Sequence, residues 1–462
     1  MNRRNLGQIL IYTVIALAIA GCHMGASQSP GASTPALASP SASTISLARG
    51  ATKYTVTVVA RDGNGNPVTN AAVVIASTLG TVSTPVNNGN GTYTAKLSSA
   101  KAGTGAVNFL VDGAASPNTV VAKFALQPMY AYITDAGANT LAQYDIGTGG
   151  LLSPMATPTV AAGSAPYVVA ADQSGPYVYV ANYYDNDVSQ YTIGANGALV
   201  PMATPTVATG NGPYAITVDP SGKYVYVANY TDNTVSQYTI GANGALTPMS
   251  PATVVAGTNP ESIAIDPAVK YAYVANPTAN TISQYTIGAT GALVPMSPAS
   301  VAAGTGPSAV AVDPSGKYAY VVNAQSNNVS QYTIGANGAL AAMSPATVAT
   351  GTTPLSIAAD PSGGYVYVGC NNTSGAVSQY TIGANGALVP MATPTVAAAP
   401  WTYALSVDPS GQYLYAISGS GDTISQFGIG ATGGLSPLTT PILVGINPTS
   451  AAAVLGEVVP TP

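Results

Sequence analysis

The phrase Gln-[Tyr/Phe]-x-Ile-Gly recurs in this chain, and its regular spacing constrains the fold more than any other feature. The copies begin at Gln143, Gln190, Gln237, Gln284, Gln331, Gln379 and Gln426, at intervals of 47 or 48 residues. A repeat of about 40–50 residues is typical of propellers, in which each copy forms one blade of four antiparallel strands. The sequence therefore predicts seven blades, with the phrase as a repeated structural contact.

The third repeat shows how one blade is divided into strands. Residues 213–219 predict the first strand and Tyr224–Asn229 the second, "TVSQYTIG" predicts the third, and the proline-containing "LTPMSPATVVAG" predicts an outer edge strand. The first repeat lacks a first strand, but the C-terminal segment "PTSAAAVLG" (448–456) aligns with one. We therefore expect the C-terminal strand to complete the first blade and close the ring over residues 127–457, with a tail at 458–462.

A separate small domain is predicted before the propeller, at residues 46–126. Alternating apolar residues in "KYTVTVV" and dense turn signals in "RDGNGNPVTN" predict short strands packed as a β-sandwich. The segments "YTVTVVARDGNGNPVTNAAVVIAS" and "NGNGTYTAKLSSAKAGT" resemble the bacterial Ig-like domains of the invasin and intimin type. The resemblance implies a rigid spacer or an adhesive module. The predicted fold class is thus all-β, with an Ig-like sandwich followed by a closed seven-bladed propeller.

The first residues have the pattern of a secretory signal. Two arginines precede an apolar run of twelve residues (9–20), which is shorter than the roughly 20 residues that a membrane-spanning helix needs. The run ends in "IAGC", which resembles the bacterial lipobox, in which the cysteine is lipidated and becomes the new N-terminus. We expect residues 1–21 to be a signal peptide, cleaved between Gly21 and Cys22. An ordinary signal peptide with a coincidental cysteine is the alternative.

Residues 22–45 follow as a tether rich in Ser, Ala, Pro and Gly. Lipidation of Cys22 would make the membrane a partner. The residue after the cysteine is His23 and not Asp, which in lipoproteins of two-membrane bacteria implies the outer membrane. The expected location is the bacterial cell envelope, with the protein either exposed at the cell surface or facing the periplasm.

The repeats also carry a family resemblance. The segment "VDPSGKYVYVANYTDNTVSQYTIGANGALTPM" and its copies resemble the lactonase-like seven-bladed propellers, and more closely those with YVTN repeats. That family includes 6-phosphogluconolactonase-like and muconate-cyclising enzymes, and also surface proteins. The resemblance implies the fold, with lactone hydrolysis as one expected activity.

The charged residues of the propeller argue against that activity. Residues 127–462 contain no Arg, no His and only three Lys, whereas phosphorylated or carboxylated substrates need cationic partners. The net charge of −5 and the lack of a basic cluster also exclude nucleic acid as a partner. We therefore predict no catalytic residue, metal or cofactor, and a head that acts as a binding, adhesion or scaffold module. The alternative is a 6-phosphogluconolactonase-like enzyme acting on a small lactone.

Two sets of repeated polar residues are candidates for a site. One set ends the second strands and predicts an uncharged rim for a glycan or protein ligand: Asn182, Asn229, Asn276 and Asn323. The alternative is that each Asn caps its local turn. The other set ends the first strands, where a ring of carboxylates could bind Ca²⁺ but is expected to hold its own turns: Asp172, Asp219, Asp266, Asp313, Asp360 and Asp408.

Overall fold

The computed structural model describes residues 37–49, 53–99, 103–147, 149–194 and 196–461. The described residues form two compact units: one ends at Leu126 and also takes in the residues from Glu457 onward, and the other is Gln127–Gly456. All regular elements of the described chain are strands, and no helix there is long and apolar enough to cross a membrane. The predicted signal peptide and Cys22 lie outside the described residues.

The N-terminal unit contains two sheets that share one core. Its strands are β1 (Thr44–Arg49), β2 (Tyr54–Val59), β3 (Val73–Ser77), β4 (Thr81–Val82), β5 (Val86–Asn87), β6 (Thr92–Ser98), β7 (Gly103–Val111), β8 (Ala114–Ala115) and the first part of β9 (Val120–Asp135). One sheet has the order β1-β2-β6-β4, and in the other β7 pairs with both β3 and β9. Val56 from the first sheet and Val107 and Phe109 from the second are fully buried in the common core. The alternation in "KYTVTVV" thus buries one face of β2, as a sandwich requires.

The second unit is a ring of four-stranded antiparallel sheets, one for each repeat. Its strands after β9 are β10 (Thr140–Ile146), β11 (Leu152–Ala161), β12 (Pro166–Ala171), β13 (Tyr177–Asn182), β14 (Asp187–Ile193), β15 (Leu199–Ala208), β16 (Pro213–Val218), β17 (Tyr224–Asn229), β18 (Thr234–Ile240), β19 (Leu246–Val255), β20 (Ser262–Ile265), β21 (Tyr271–Asn276), β22 (Thr281–Ile287), β23 (Leu293–Ala302), β24 (Pro307–Val312), β25 (Tyr318–Asn323), β26 (Asn328–Ile334), β27 (Leu340–Ala349), β28 (Pro354–Ala359), β29 (Tyr365–Cys370), β30 (Ala376–Ile382), β31 (Leu388–Ala397), β32 (Thr402–Val407), β33 (Tyr413–Ser418), β34 (Thr423–Ile429), β35 (Leu435–Pro437), β36 (Ile442–Leu443) and β37 (Pro448–Thr461).

The first strands of the blades line the central channel. In blades 2 to 7 they are β12, β16, β20, β24, β28 and β32, and from β12 to β28 each contacts the first strand of the next blade. The fourth strands lie outermost, and their proline-containing sequences are mostly exposed, as an edge strand allows. In blade 7 the outer strand is divided into β35 and β36, which both pair with β34.

The C-terminal strand closes the ring, as the sequence predicts. β37 pairs with β9 and supplies the missing first strand of blade 1. The Thr134 hydroxyl accepts the Ser450 N–H at 2.8 Å and lies 2.9 Å from the Thr449 hydroxyl. All three residues are buried, so these bonds join the two ends of the propeller away from water.

The repeated Gln side chain joins each blade to the next. Its Oε1 accepts the N–H of the Leu that begins the outer strand of the following blade, at 2.6–2.8 Å, in the pairs Gln143–Leu199, Gln190–Leu246, Gln237–Leu293, Gln284–Leu340, Gln331–Leu388, Gln379–Leu435 and Gln426–Leu152. In blades 1 to 6 the Gln also lies at a register shift between the third and fourth strands. The phrase is therefore a structural contact, repeated around the complete ring.

Buried tyrosines form a second set of bonds between blades. The second Tyr of each "YxY" segment donates to a glycine carbonyl of the next blade at 2.6–2.8 Å: Tyr132, Tyr179, Tyr226, Tyr273, Tyr320, Tyr367 and Tyr415. Each ring is 1% exposed or less. The tyrosines thus combine large apolar burial with a satisfied hydroxyl at each seam between blades.

Candidate functional site

The four asparagines of the predicted rim lie inside the blades. Asn182, Asn229, Asn276 and Asn323 have no exposed surface. Each side-chain amide donates to a serine hydroxyl of the third strand of its own blade, at 2.8–3.0 Å. A ligand on that face of the propeller has no direct access to such groups. The geometry therefore favours the alternative, in which each Asn holds the turn at the end of its strand.

The repeated aspartates also hold their own turns. Asp219 accepts the N–H groups of Lys223 and Tyr224 at 2.7 and 2.6 Å, and the other five aspartates accept N–H groups from equivalent turns. Among the described residues no group of acidic, His or Cys side chains is placed to hold a metal ion. The geometry favours the interpretation of these residues as turn-forming.

The blades differ in chemistry at the position where each first strand enters the channel. The seven equivalent residues are Tyr167, Tyr214, Glu261, Ser308, Leu355, Tyr403 and Thr449. Two residues before each of them is a residue with a left-handed backbone: Ala165, Gly212, Asn259, Gly306, Thr353, Trp401 and Asn447, with φ between 50° and 67°. This turn directs the chain into the first strand. Because the first strands surround the channel, the seven variable side chains lie around its mouth.

Three tyrosines of this set meet, two from the neighbouring blades 2 and 3 and one from blade 7. The Tyr403 hydroxyl, from blade 7, lies 2.6 Å from the Tyr214 hydroxyl and donates to the Tyr167 hydroxyl at 3.1 Å. The rings of Tyr167 and Tyr214 have centroids 4.5 Å apart. When Tyr214 donates to Tyr403 and Tyr403 donates to Tyr167, the hydrogen of the Tyr167 hydroxyl remains available for a ligand. Consecutive hydrogen bonds polarise one another, so Tyr167 becomes a stronger donor.

A pocket of about 480 Å³ opens beside these tyrosines. It is lined by Ala136, Ala165, Tyr167, Tyr183, Tyr184, Tyr214, Tyr230, Glu261 and Asn447. The rings of Tyr214 and Tyr230 are stacked with centroids 5.4 Å apart, and Tyr184 is 72% exposed. The volume suits a small molecule, and the lining combines aromatic faces with a few polar groups, as ligand pockets commonly do.

Glu261 is the one charged side chain in the lining of this pocket. Its backbone N–H is bonded to the Ala275 carbonyl at 3.0 Å, and no ion pair to its carboxylate is found within the described ranges. Burial raises the pKa of Glu261 to about 7. Burial also raises the pKa values of Tyr214 and Tyr403, and the negative charge of Glu261 adds to both effects. At neutral pH the pocket therefore holds a carboxyl group ready to exchange a proton beside protonated phenols.

A second cavity, of about 430 Å³, lies between the turns of blades 4 and 5 and includes Asp266, Lys270 and Tyr271. Asp266 accepts the backbone N–H groups of Lys270 and Tyr271 at 2.5 Å, so its carboxylate is already engaged in its turn. The pocket at Glu261 is therefore the stronger candidate for a functional site.

This site was not among the sequence predictions, because those predictions depended on Arg, His and metal ligands. The available signal was the residue after the strand-initiating proline, which is Tyr, Tyr, Glu, Ser and Leu in successive repeats. This position varies in chemistry although the rest of the repeat is strict, and the turns bring all seven copies to one channel. Such a position is a candidate for a functional site, because the blades are not equivalent there.

Comparisons with known proteins agree with this architecture. The family model "Lactonase, 7-bladed beta-propeller" matches residues 76–402. Among solved structures, a candidate 6-phosphogluconolactonase from Bacteroides fragilis has 22% identity and a TM-score of 0.61, covering 71% of this chain and 98% of that one. A periplasmic gluconolactonase from Pseudomonas aeruginosa has 17% identity and a TM-score of 0.58, covering 71% of this chain and 99% of that one.

At these identities the structural likeness shows the fold alone. A comparison with curated protein sequences found no match. The family model, however, spans more than two thirds of the sequence and most of the repeats. The chain therefore belongs to the lactonase family of seven-bladed β-propellers.

Proposed function

We propose that the propeller hydrolyses a lactone in the pocket formed by Glu261 and the tyrosines at the channel mouth. The observation that carries this proposal is the partly buried Glu261, whose pKa of about 7 suits a general base at neutral pH. Membership of the lactonase family supports the reaction class. The lack of Arg and His in the sequence favours a non-catalytic head; a glutamate can serve as the general base in place of His, whereas the lack of cations still restricts anionic substrates.

The groups of the pocket can perform each step of the reaction. The Glu261 carboxylate takes a proton from a water molecule as the water oxygen attacks the lactone carbonyl carbon. The Tyr167 hydroxyl, with Tyr403 and Tyr214 behind it, donates a hydrogen bond to the oxyanion that forms. The bond between the carbonyl carbon and the ring oxygen then breaks, and Glu261 returns its proton to that oxygen. The product is an open-chain hydroxy acid.

The experiment is to offer purified protein a panel of small lactones and to follow acid release by continuous titration. We expect turnover above the spontaneous rate by the wild type, loss of that turnover in Glu261→Gln, and partial retention in Glu261→Asp, which keeps a carboxylate. A matched control is Leu355→Gln, which introduces the same amide at an equivalent position of the ring in blade 6. Background rates with every lactone would contradict the proposal.

The second candidate function is ligand binding without catalysis, and the exposure of Tyr184 favours it. This ring lines the pocket and is 72% exposed, so a glycan or a protein segment could pack against it. Saturable glycan or peptide binding that is lost in Tyr184→Ala, together with no turnover in the lactone panel, would favour this adhesion or scaffold function.

We further propose that the head is held at the bacterial envelope by lipidation of Cys22, with the N-terminal unit as an Ig-like spacer. The signal pattern of residues 1–21 and the lipobox-like "IAGC" support the anchor, and the two-sheet core supports the spacer. Outer-membrane fractionation of Cys22→Ser tests the anchor. We expect release of the variant in soluble form, and an unchanged membrane association would contradict lipidation at this residue.

A further inference from the structure

The cations of the propeller all lie on one of its two faces. The face that carries the Glu261 pocket includes the ends of the second strands, the turns to the third strands and the loops between blades. Every charged side chain in these segments is a carboxylate: Asp135, Asp185, Asp187, Asp232, Glu261 and Asp422. The opposite face carries the three lysines of the unit, Lys223, Lys270 and Lys317, in the turns that follow the first strands, together with the repeated turn aspartates.

The lysines are too far from the pocket to bind its ligand. Glu261 comes directly before β20, and Lys270 lies five residues beyond the end of that strand. A strand rises about 3.3 Å per residue, so the two ends of the first strands are separated by roughly 15–20 Å. This separation is longer than the reach of a lysine side chain. Within the propeller, no cation is therefore placed to pair with an anionic group in the pocket.

The aspartates on the pocket face are fixed by backbone bonds. Asp185 accepts the Ser164 N–H, Asp232 accepts the Asn211 N–H, and Asp422 accepts the Asn447 N–H, each at 2.7 Å. These bonds tie the turns of the face to the loops that form the channel mouth. The bonds from the Asn211 backbone and side chain lower the pKa of Asp232, because N–H donors stabilise the charged carboxylate. The negative face is thus built into the loops that shape the pocket.

Because the pocket face carries carboxylates and no cation, we infer that the site takes uncharged lactones and rejects phosphorylated or carboxylated ones. This inference rests on the proposed function and specifies its substrate class. A neutral lactone can pack on the tyrosine rings and accept a hydrogen bond from Tyr167. A phosphorylated lactone would bring its charge close to Glu261 and to the aspartates of the pocket face, where no cation can pair with it. Such contacts between like charges disfavour binding of the anionic compound. The lack of Arg, which argued against any lactonase activity, instead sets the substrate.

The test compares kcat/KM of the wild type for glucono-1,5-lactone and for its 6-phosphate. We expect kcat/KM to be higher for the uncharged lactone by about 100-fold or more, because like charges across an interface are strongly disfavoured. Equal or better turnover of the phosphate would overturn the inference and leave the proposed function intact. Background rates with both compounds would overturn the proposed function and this inference with it.

A pair of variants locates the origin of the selectivity. Asn447→Lys places a cation in the pocket lining, whereas Thr353→Lys places the same cation at the equivalent left-handed position of a blade that does not line the pocket. We expect Asn447→Lys to narrow the preference by about tenfold, since added charge complementarity favours the anion, and Thr353→Lys to leave it unchanged. A preference that resists Asn447→Lys would contradict the assignment of selectivity to charge at this mouth.

Discussion

The Tyr214 hydroxyl lies 2.6 Å from the Tyr403 hydroxyl, although the two residues belong to blades 3 and 7 of the ring. This bond crosses the channel mouth and continues to Tyr167 in blade 2. The contact depends on closure of the ring, because the sequence separates the two residues by four repeats. The strength of the Tyr167 hydroxyl as a hydrogen-bond donor therefore depends on the closed ring.

The relay predicts a specific effect of Tyr403→Phe. The ring remains, but Tyr214 loses its acceptor and Tyr167 loses its donor. Positioned electrostatic donors act mainly in the transition state, so we expect kcat to fall by about tenfold with little change in KM. Tyr224→Phe removes another tyrosine hydroxyl of the propeller, one that bonds to an exposed loop carbonyl at 3.4 Å, and serves as the control. An equal loss in both variants would show that the relay has no special role.

The Gln–Leu contact predicts the stability of the seams between blades. In Gln237→Leu, the buried N–H of Leu293 and the Pro251 carbonyl lose their partners. Leaving buried groups unpaired costs about 1–3 kcal/mol each, so we expect a clear fall in the free energy of unfolding in urea. Thr239→Val removes an exposed 3.4 Å hydrogen bond from the Thr239 hydroxyl to the Thr247 carbonyl, and it should lower the free energy of unfolding far less. A Gln237 variant as stable as the wild type would contradict the role of this side chain.

Blade 4 contains a strained turn residue that predicts a stabilising change. Val269 has φ of 55° where five other blades place a glycine in the equivalent turn. The left-handed region costs a residue with a Cβ about 1–2 kcal/mol, so we expect Val269→Gly to raise the melting temperature. The reverse change, Gly316→Val, meets only ordinary contacts at its Cβ and should lower it through backbone strain. A fall in melting temperature in Val269→Gly would rule out this account of the turn.

Burial of Glu261 also predicts a pH dependence of stability. Its pKa is raised from 4.5 to about 7, so the folded state binds this proton more tightly than the unfolded chain does. The resulting contribution is complete below pH 4.5 and is lost as the pH rises to about 7. Relative to the wild type, Glu261→Gln should therefore gain stability as the pH rises through this window, as melting curves of the two proteins at several pH values would show. A difference in melting temperature between the two proteins that does not change with pH would contradict the burial of Glu261.

The sequence was sufficient to predict the scaffold and insufficient to predict the site. The spacing from Gln143 to Gln426 counts the blades, and the missing first strand of blade 1 predicts the closure by β37, because both are properties of a repeat. The contacts around Glu261 were not predictable in this way. Tyr403 meets Tyr214 only through the curvature of the ring, and the burial that raises the pKa of Glu261 depends on how the blades assemble around the channel mouth. The rim asparagines show the opposite case, in which a repeated polar residue is buried for the fold.

The proposed hydrolysis depends on Glu261 acting as the general base. Its most direct test is the pH dependence of kcat/KM for an uncharged lactone, measured in the wild type and in Glu261→Gln. We predict a rate that rises with pH and levels off above an apparent pKa of about 7, and a loss of at least about 100-fold in Glu261→Gln. A wild-type rate without this titration, together with full turnover by Glu261→Gln, would contradict the account.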